Sequence, residues 1–137
     1  MFSRRGRVVV GVLLSLAASG ALAQAAPGPD LVRGKRQFLQ CVACHDLRSG
    51  GPAKVGPHLE GIFGRKAGIL AGLVPVSAQI KNSGIVWTDE VMDKWLEKPS
   101  NVVPGTLMAF AGMLKPEDRL SLIAYMKKET APAGAAK

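Results

Sequence analysis

Two thiols and an imidazole fall within five consecutive residues, Cys41-Val42-Ala43-Cys44-His45. They include both cysteines of the chain and one of its 2 histidines. Four chemistries use such a cluster. A C-x-x-C redox pair belongs after a strand in a βαβ unit, and no strand-like alternation precedes Cys41. A lone disulfide across two intervening residues cannot staple a fold. A zinc site needs about four protein ligands, and two Cys and two His at these separations supply them poorly. The order C-x-x-C-H matches the attachment of a c-type haem. Two thiols at this spacing reach the two vinyl groups on one side of a porphyrin. The adjacent imidazole then projects beneath the ring, where its nitrogen meets the iron. The spacing predicts one haem c held covalently by Cys41 and Cys44, with His45 on the metal.

A second axial ligand has several candidates: Met92, Met108, Met113, Met126 and His58. Met92 lies on the apolar face of an expected helix, and Met126 near the end of another, so both suit packing. Met113 precedes a helix start and could swing towards the iron. Met108 stands in Val103-Pro104-Gly105-Thr106-Leu107-Met108-Ala109-Phe110, where Pro104 and Gly105 can turn the backbone across the other haem face. A thioether on a loop pinned at both ends suits a soft ligand. His58 follows a Gly-Pro pair and reads as a loop residue.

Three helices must position these groups. The first begins after Asp30, a good N-cap, and runs towards Gln40. Gly34 and Phe38 share one of its faces. The second starts after Thr88, with Asp89 and Glu90 in its first turn. It carries Val91, Met92, Trp95 and Leu96 and stops at Pro99. The last has Pro116 at its first position, places Leu120, Ile123 and Ala124 on one face, and ends near Lys127-Lys128. Between the first two, His45 to Val86 reads as one long loop punctuated by Gly50-Gly51-Pro52, Gly56-Pro57 and Gly72. Such a fold needs a staple, and the haem provides it.

The chain has 137 residues, which predicts one domain. Its first 23 residues read as a secretory signal peptide: Arg4, Arg5 and Arg7 precede a short apolar run, and Ala21-Leu22-Ala23 is a small-x-small cleavage site. The expected organisation is therefore a leader at 1–23, a domain at 24–130 and a disordered tail at 131–137. Removing the leader takes three arginines away and lowers the formal charge from +8 to a mild surplus. No run of five like charges exists, and there is one tyrosine with four phenylalanines. Nucleic-acid binding is accordingly not expected, nor is stable membrane insertion. Export fits haem attachment, which follows translocation, and predicts a periplasmic protein.

Further motifs follow the haem sequence in order: Gly56-Pro57 with Leu59, Gly61-Ile62-Phe63-Gly64-Arg65-Lys66, Gly84-Ile85 with Trp87, Leu96 with Pro99, Pro104-Gly105-Thr106 with Met108, Phe110-Ala111-Gly112, and Leu122-Ile123-Ala124-Tyr125. With Gly34 and Phe38, they cover most of the chain from Gly34 to Lys128. This pattern resembles the soluble class I cytochromes c of bacteria and mitochondria.

The resemblance implies an all-α class I cytochrome c fold, with three to five short helices and long loops wrapped around one haem. It implies His45 and Met108 as axial ligands. It implies that the Pro57 carbonyl accepts the other His45 N–H, and that Arg65, Trp87 and Thr106 face the haem propionates. Gly34 and Phe38 would meet Leu122 and Tyr125. Some positions depart from the family. A propionate-bonding tyrosine is missing near Val76, leaving Ser77. Ile80 replaces an asparagine that orders an internal water, and Trp95 replaces a tyrosine that donates to the methionine sulfur. Lys54 and Lys115 keep part of the family's basic docking face, while Ser100, Leu107 and Leu114 do not.

The expected function is one-electron transfer between respiratory or dehydrogenase partners, among them a membrane oxidase, a reductase or a periplasmic dehydrogenase. The expected protein is a monomer and not an enzyme, because full coordination leaves no open iron position. Two other classes compete: a dedicated haem subunit of a periplasmic dehydrogenase, and a peroxidase with one open iron site.

Overall fold

The computed structural model describes residues 28–132 and contains five α-helices among them. The expected leader and the new N-terminus at Gln24 lie outside the described residues, as does the tail beyond Pro132.

Helix α1 spans Leu31–Phe38. The Asp30 carboxylate accepts from the backbone N–H of Val32 at 2.8 Å and of Arg33 at 3.1 Å, which satisfies two of the orphan donors at the helix start. The Arg33 bond is the largest influence holding the Asp30 carboxyl below its usual range. Gly34 and Phe38 are the buried residues of α1, as their spacing predicts.

Helix α2 spans Ala78–Asn82, inside the stretch expected to be loop-rich. The Ser77 hydroxyl caps it by accepting from Ile80 N–H at 3.3 Å. Helix α3 spans Asp89–Glu97 and is capped by Thr88, whose hydroxyl accepts from Val91 N–H. Met92, Trp95 and Leu96 are its buried face. Pro99 ends the run as expected, yet it also opens a new helix, α4, spanning Pro99–Val102. Proline suits that first position because the N–H it lacks has no intrahelical partner there.

Helix α5 spans Pro116–Thr130. Its buried face differs from the expected one. Arg119, Leu122, Ile123, Met126 and Thr130 are buried, whereas Leu120 is 46% exposed and Ala124 only half-buried. The physical reason is that the polar members of this face are satisfied by hydrogen bonds. Thr130 donates to the Met126 carbonyl at 2.7 Å, and Arg119 bonds Asp93 and two backbone carbonyls.

Helices α1 and α5 pack closely because Gly34 has no side chain. A Cβ there would lie 2.6 Å from Tyr125 Cβ and would collide with the Ser121 carbonyl. The Phe38 and Tyr125 rings follow, tilted at 52° with centroids 6.1 Å apart. Leu122 is fully buried in the same core as Phe38.

No strands form among the described residues, apart from an isolated antiparallel bridge between Lys66 and Val86. Trp87 N–H donates to the Arg65 carbonyl at 3.0 Å, and Gly64 N–H to the Trp87 carbonyl at 2.9 Å. The bridge therefore fixes Arg65 and Trp87 side by side. The end of α5 is also tied down. Gly61 N–H donates to the Thr130 carbonyl at 2.6 Å, and Arg48 donates to the carbonyl of Ala131. Ala131, expected to begin a disordered tail, is thus bonded to the body of the protein.

Candidate functional site

The five-residue motif forms a turn directly after α1. Cys41 N–H donates to the Phe38 carbonyl at 2.8 Å, and the N–H groups of Cys44 and His45 both donate to the Cys41 carbonyl, at 3.0 and 2.8 Å. This helical winding sets Cys41 and Cys44 about one turn apart, with His45 directly after them. Both thiols are free, Cys41 half-buried and Cys44 exposed. Burial pushes the Cys41 thiol pKa up, with the Cys44 thiol adding to the effect. The disulfide reading gains nothing from this arrangement. Nor does the zinc reading, because no group of three or more His, Cys, Asp or Glu side chains converges among the described residues.

His45 is held by its second nitrogen. Its Nδ1 lies 2.7 Å from the Pro57 carbonyl oxygen. Donation from Nδ1–H leaves Nε2 unprotonated, with its lone pair free to bind a metal. Gly56 lies flat against the same ring. A Cβ on Gly56 would come within 2.8 Å of His45 Nδ1 and Nε2. Gly56 itself is anchored, its N–H donating to the Cys44 carbonyl at 2.9 Å. Gly72 backs this segment: Leu73 N–H donates to the Lys54 carbonyl at 2.6 Å, and a Cβ on Gly72 would lie 2.6 Å from that carbonyl oxygen. Gly56 and Gly72 are thus site residues that sequence reasoning used only as a family marker and a loop breaker.

Lys54 plays a part that its expected place on a docking face did not suggest. Its ammonium donates to the Val42 carbonyl at 2.6 Å and the His45 carbonyl at 3.4 Å, and pairs with Asp46 at 2.7 Å. It ties off the carbonyls of the haem-motif turn.

The methionines separate by environment. Met92, Met113 and Met126 are buried in the core at 2%, 7% and 3% exposure. Met108 is half-buried and lies in the loop between α4 and α5. That loop is pinned at both ends. Before Met108, Thr106 N–H donates to the Val103 carbonyl, and the Thr106 hydroxyl accepts from Met108 N–H at 3.3 Å. After it, Met113 N–H donates to the Leu96 carbonyl at 2.8 Å, and Gly112 packs on the Glu97 carbonyl where any side chain would collide. Gly105 and Gly112 have φ of +79° and +108°, left-handed values that favour glycine.

Thr106, Arg65 and Trp87 each retain donors. The Thr106 oxygen is used as an acceptor, so its O–H proton can be donated elsewhere. Arg65 gives one of five guanidinium N–H groups to the Glu60 carbonyl, at 2.6 Å. Trp87 is buried and meets Trp95 edge-on, with centroids 5.2 Å apart. Trp95 thus packs against another indole. Ser77 caps α2, while Ile80 packs against the core as an apolar residue. His58 sits beside buried Leu59, and its Nδ1 is buried without a hydrogen-bond partner.

Donor chemistry and geometry agree on the cofactor. Two thiols on one turn, an imidazole oriented by a carbonyl, and a glycine surface flat against that imidazole fit a covalently held haem. The fold and site define an all-helical c-type haem protein. A family model described as cytochrome c matches residues 31–130. Cytochrome c of Arabidopsis thaliana is 43% identical over 102 residues, covering 74% of this chain and 90% of its own. Cytochrome c2 of Blastochloris viridis is 45% identical over 123 residues, covering 89% and 93%. Among solved structures, cytochrome cH from Methylobacterium extorquens superposes with a TM-score of 0.65 at 38% identity, covering 72% of this chain and 98% of the other. The chain belongs to the cytochrome c family. It is a haem-containing electron carrier that acts with redox partners, and not an enzyme. Cys41 and Cys44 supply the thiols for its covalent haem c. No helix among the described residues is long and apolar enough to cross a membrane.

Proposed function

We propose that this protein is a monomeric periplasmic one-electron carrier whose haem iron is ligated by His45 and Met108. The observation that carries the reading is the contrast among the described methionines: three are locked in the core, and only Met108 is half-buried on a loop held at both ends. The haem supplies the one-electron couple. The protein's own groups set its properties. The Pro57 carbonyl orients His45 and fixes its tautomer through the 2.7 Å contact. The Met108 thioether is a soft ligand that favours the reduced metal and so raises the potential. Arg65, Trp87 and the Thr106 hydroxyl supply donors to the propionates, whose charges cannot be buried unpaired. With both axial positions filled, no site is left for substrate.

The export reading rests on residues 1–23, with the mature chain starting at Gln24 and the working domain running to residue 130. Its partners on this reading are a membrane oxidase or reductase, or a periplasmic dehydrogenase. N-terminal sequencing of the periplasmic fraction should return Gln24, or Ala26 from an alternative cut. Retention of residues 1–23 would make the protein membrane-anchored instead.

The ligand test is the ferric spectrum of the holoprotein and its variants. The parent should show the weak near-red thioether-to-iron band. Met108→Ala should lose it, lower the potential and open the iron to cyanide. Met113→Ala should keep the band and cost about 2–5 kcal/mol of stability. Loss of the band in Met113→Ala alone would move the ligand to Met113.

A further inference from the structure

Arg119 is a charged residue in the core, 5% exposed on the inner face of α5. An apolar side chain would fill that space without desolvating a charge, so the partners of the guanidinium matter. Nε donates to Asp93 Oδ1 at 2.7 Å and Nη2 to Asp93 Oδ2 at 3.3 Å, a two-pronged pair onto α3. Nη1 donates to the Met113 carbonyl at 2.9 Å and the Leu114 carbonyl at 3.0 Å. One side chain therefore joins α5, α3 and the end of the Met108 loop.

The peptide groups of Met113 show what this does. Its N–H is held on α3 directly, by the Leu96 carbonyl at 2.8 Å. Its carbonyl is held on α3 indirectly, through Arg119 to Asp93. Asp93 and Leu96 lie about one turn apart on α3. Both polar groups of Met113 are thus fixed to one turn of that helix, five residues after Met108. A loop held so firmly at its far end can return a thioether to the same place after each excursion.

We infer that Arg119 and Asp93 are positioning residues for Met108, clamping the end of its loop to α3 and so keeping the iron's sixth position closed. The inference rests on Met108 being the ligand. Lysine cannot substitute for the arginine: a single ammonium lacks the planar fork that meets a carboxylate and two carbonyls together. A shortened or neutral residue 93 leaves the guanidinium holding the loop without its anchor on α3.

The test uses ferric holoprotein titrated with imidazole, which competes with the thioether for the sixth position. The variants are Arg119→Lys, Asp93→Ala, Asp93→Asn and Asp93→Glu. Loss of the near-red band is followed, with the potential and a thermal melt recorded alongside. Arg119→Lys and Asp93→Ala should bind imidazole about tenfold more tightly, equivalent to about 1.4 kcal/mol, with the haem still covalently attached. Asp93→Asn should fall between them and the parent, and Asp93→Glu should recover part of the loss. Thr130→Val is the structural control. It removes a buried α5 hydrogen bond to Met126 and should lower Tm without changing imidazole affinity. If Arg119→Lys fails to mature, the Asp93 series decides, because that side chain is 40% exposed and tolerates change. Parental imidazole affinity in Asp93→Ala, even with a lowered Tm, overturns the clamp. A parent without the near-red band instead overturns Met108 as ligand, and the clamp with it.

Discussion

At the scale of single residues, the site divides into groups that bond the haem and groups that aim them. Cys41 and Cys44 belong to the first kind and are free to react. Replacing both with alanine should leave no covalently bound haem, read by haem staining on a denaturing gel. Either single variant should keep at most one thioether bond and give far less mature protein. Residual staining in the double variant would count against the motif reading. The bonding groups were legible because C-x-x-C-H is an ordered set of reactive side chains. The aiming groups were less so. Gly56 against the His45 ring, Gly72 behind it and Lys54 on the motif carbonyls act through backbone approach or a single long side chain. Nothing in their identity announces which neighbour they meet. Arg119 was hidden for a related reason, since charge normally signals solvent and its partners Asp93 and Met113 lie 26 and 6 residues away.

At the scale of elements, the longer helices could be read and the very short ones could not. Asp30, Thr88 and Pro116 marked α1, α3 and α5 at their observed starts. Helix α2 is five residues long, and α4 has four residues and no side-chain cap. At that length tertiary contacts decide helicity, not local signals. The face of α5 was misjudged for Leu120 because hydrophobicity was the only guide, while Arg119, Ser121 and Thr130 are buried by virtue of satisfied hydrogen bonds. The α1–α5 contact gives a sharp test. Gly34→Ala would drive a methyl group into the Ser121 carbonyl and to 2.6 Å from Tyr125 Cβ. Both neighbours belong to helix backbone or its first side-chain atom, so the helices themselves must part. Denaturant melts should show a loss of at least about 1–3 kcal/mol. A neutral result would mean that the two helices can slide apart without loss, and that Gly34 is not the point that sets their spacing.

The whole molecule poses a question about what its middle is folded around. The buried apolar residues come chiefly from α1, α3, α5 and their immediate flanks. Across the stretch from 39 to 86 only Leu59 and Ala67 are buried in the core, with Cys41, Leu47, Ile62, Phe63, Ile80 and Ile85 half-buried against it. That stretch contains the motif turn, the His45 support and just one five-residue helix. Its backbone is held by scattered bonds, such as Leu73 N–H to the Lys54 carbonyl and Leu59 N–H to the Asp46 carbonyl. A few hydrogen bonds, each worth about 1 kcal/mol net, cannot offset a backbone ordering cost of about 1–2 kcal/mol per residue. The missing apolar surface has to come from the porphyrin, which the two thioethers hold against this segment. Folding and haem attachment are therefore expected to be one event. Protein expressed without haem should lose most of its helical circular dichroism and show no cooperative melt, because the long segment between α1 and α3 then lacks the apolar surface it folds around. The α1–α5 pair is the part best placed to persist, since Gly34 and Phe38 meet α5 without needing the haem. Hydrogen exchange on the apoprotein should then find residual protection confined to those two helices. Native-like helicity with a sharp melt in haem-free protein would show instead that the polypeptide alone specifies the fold, and that the haem binds a preformed cradle.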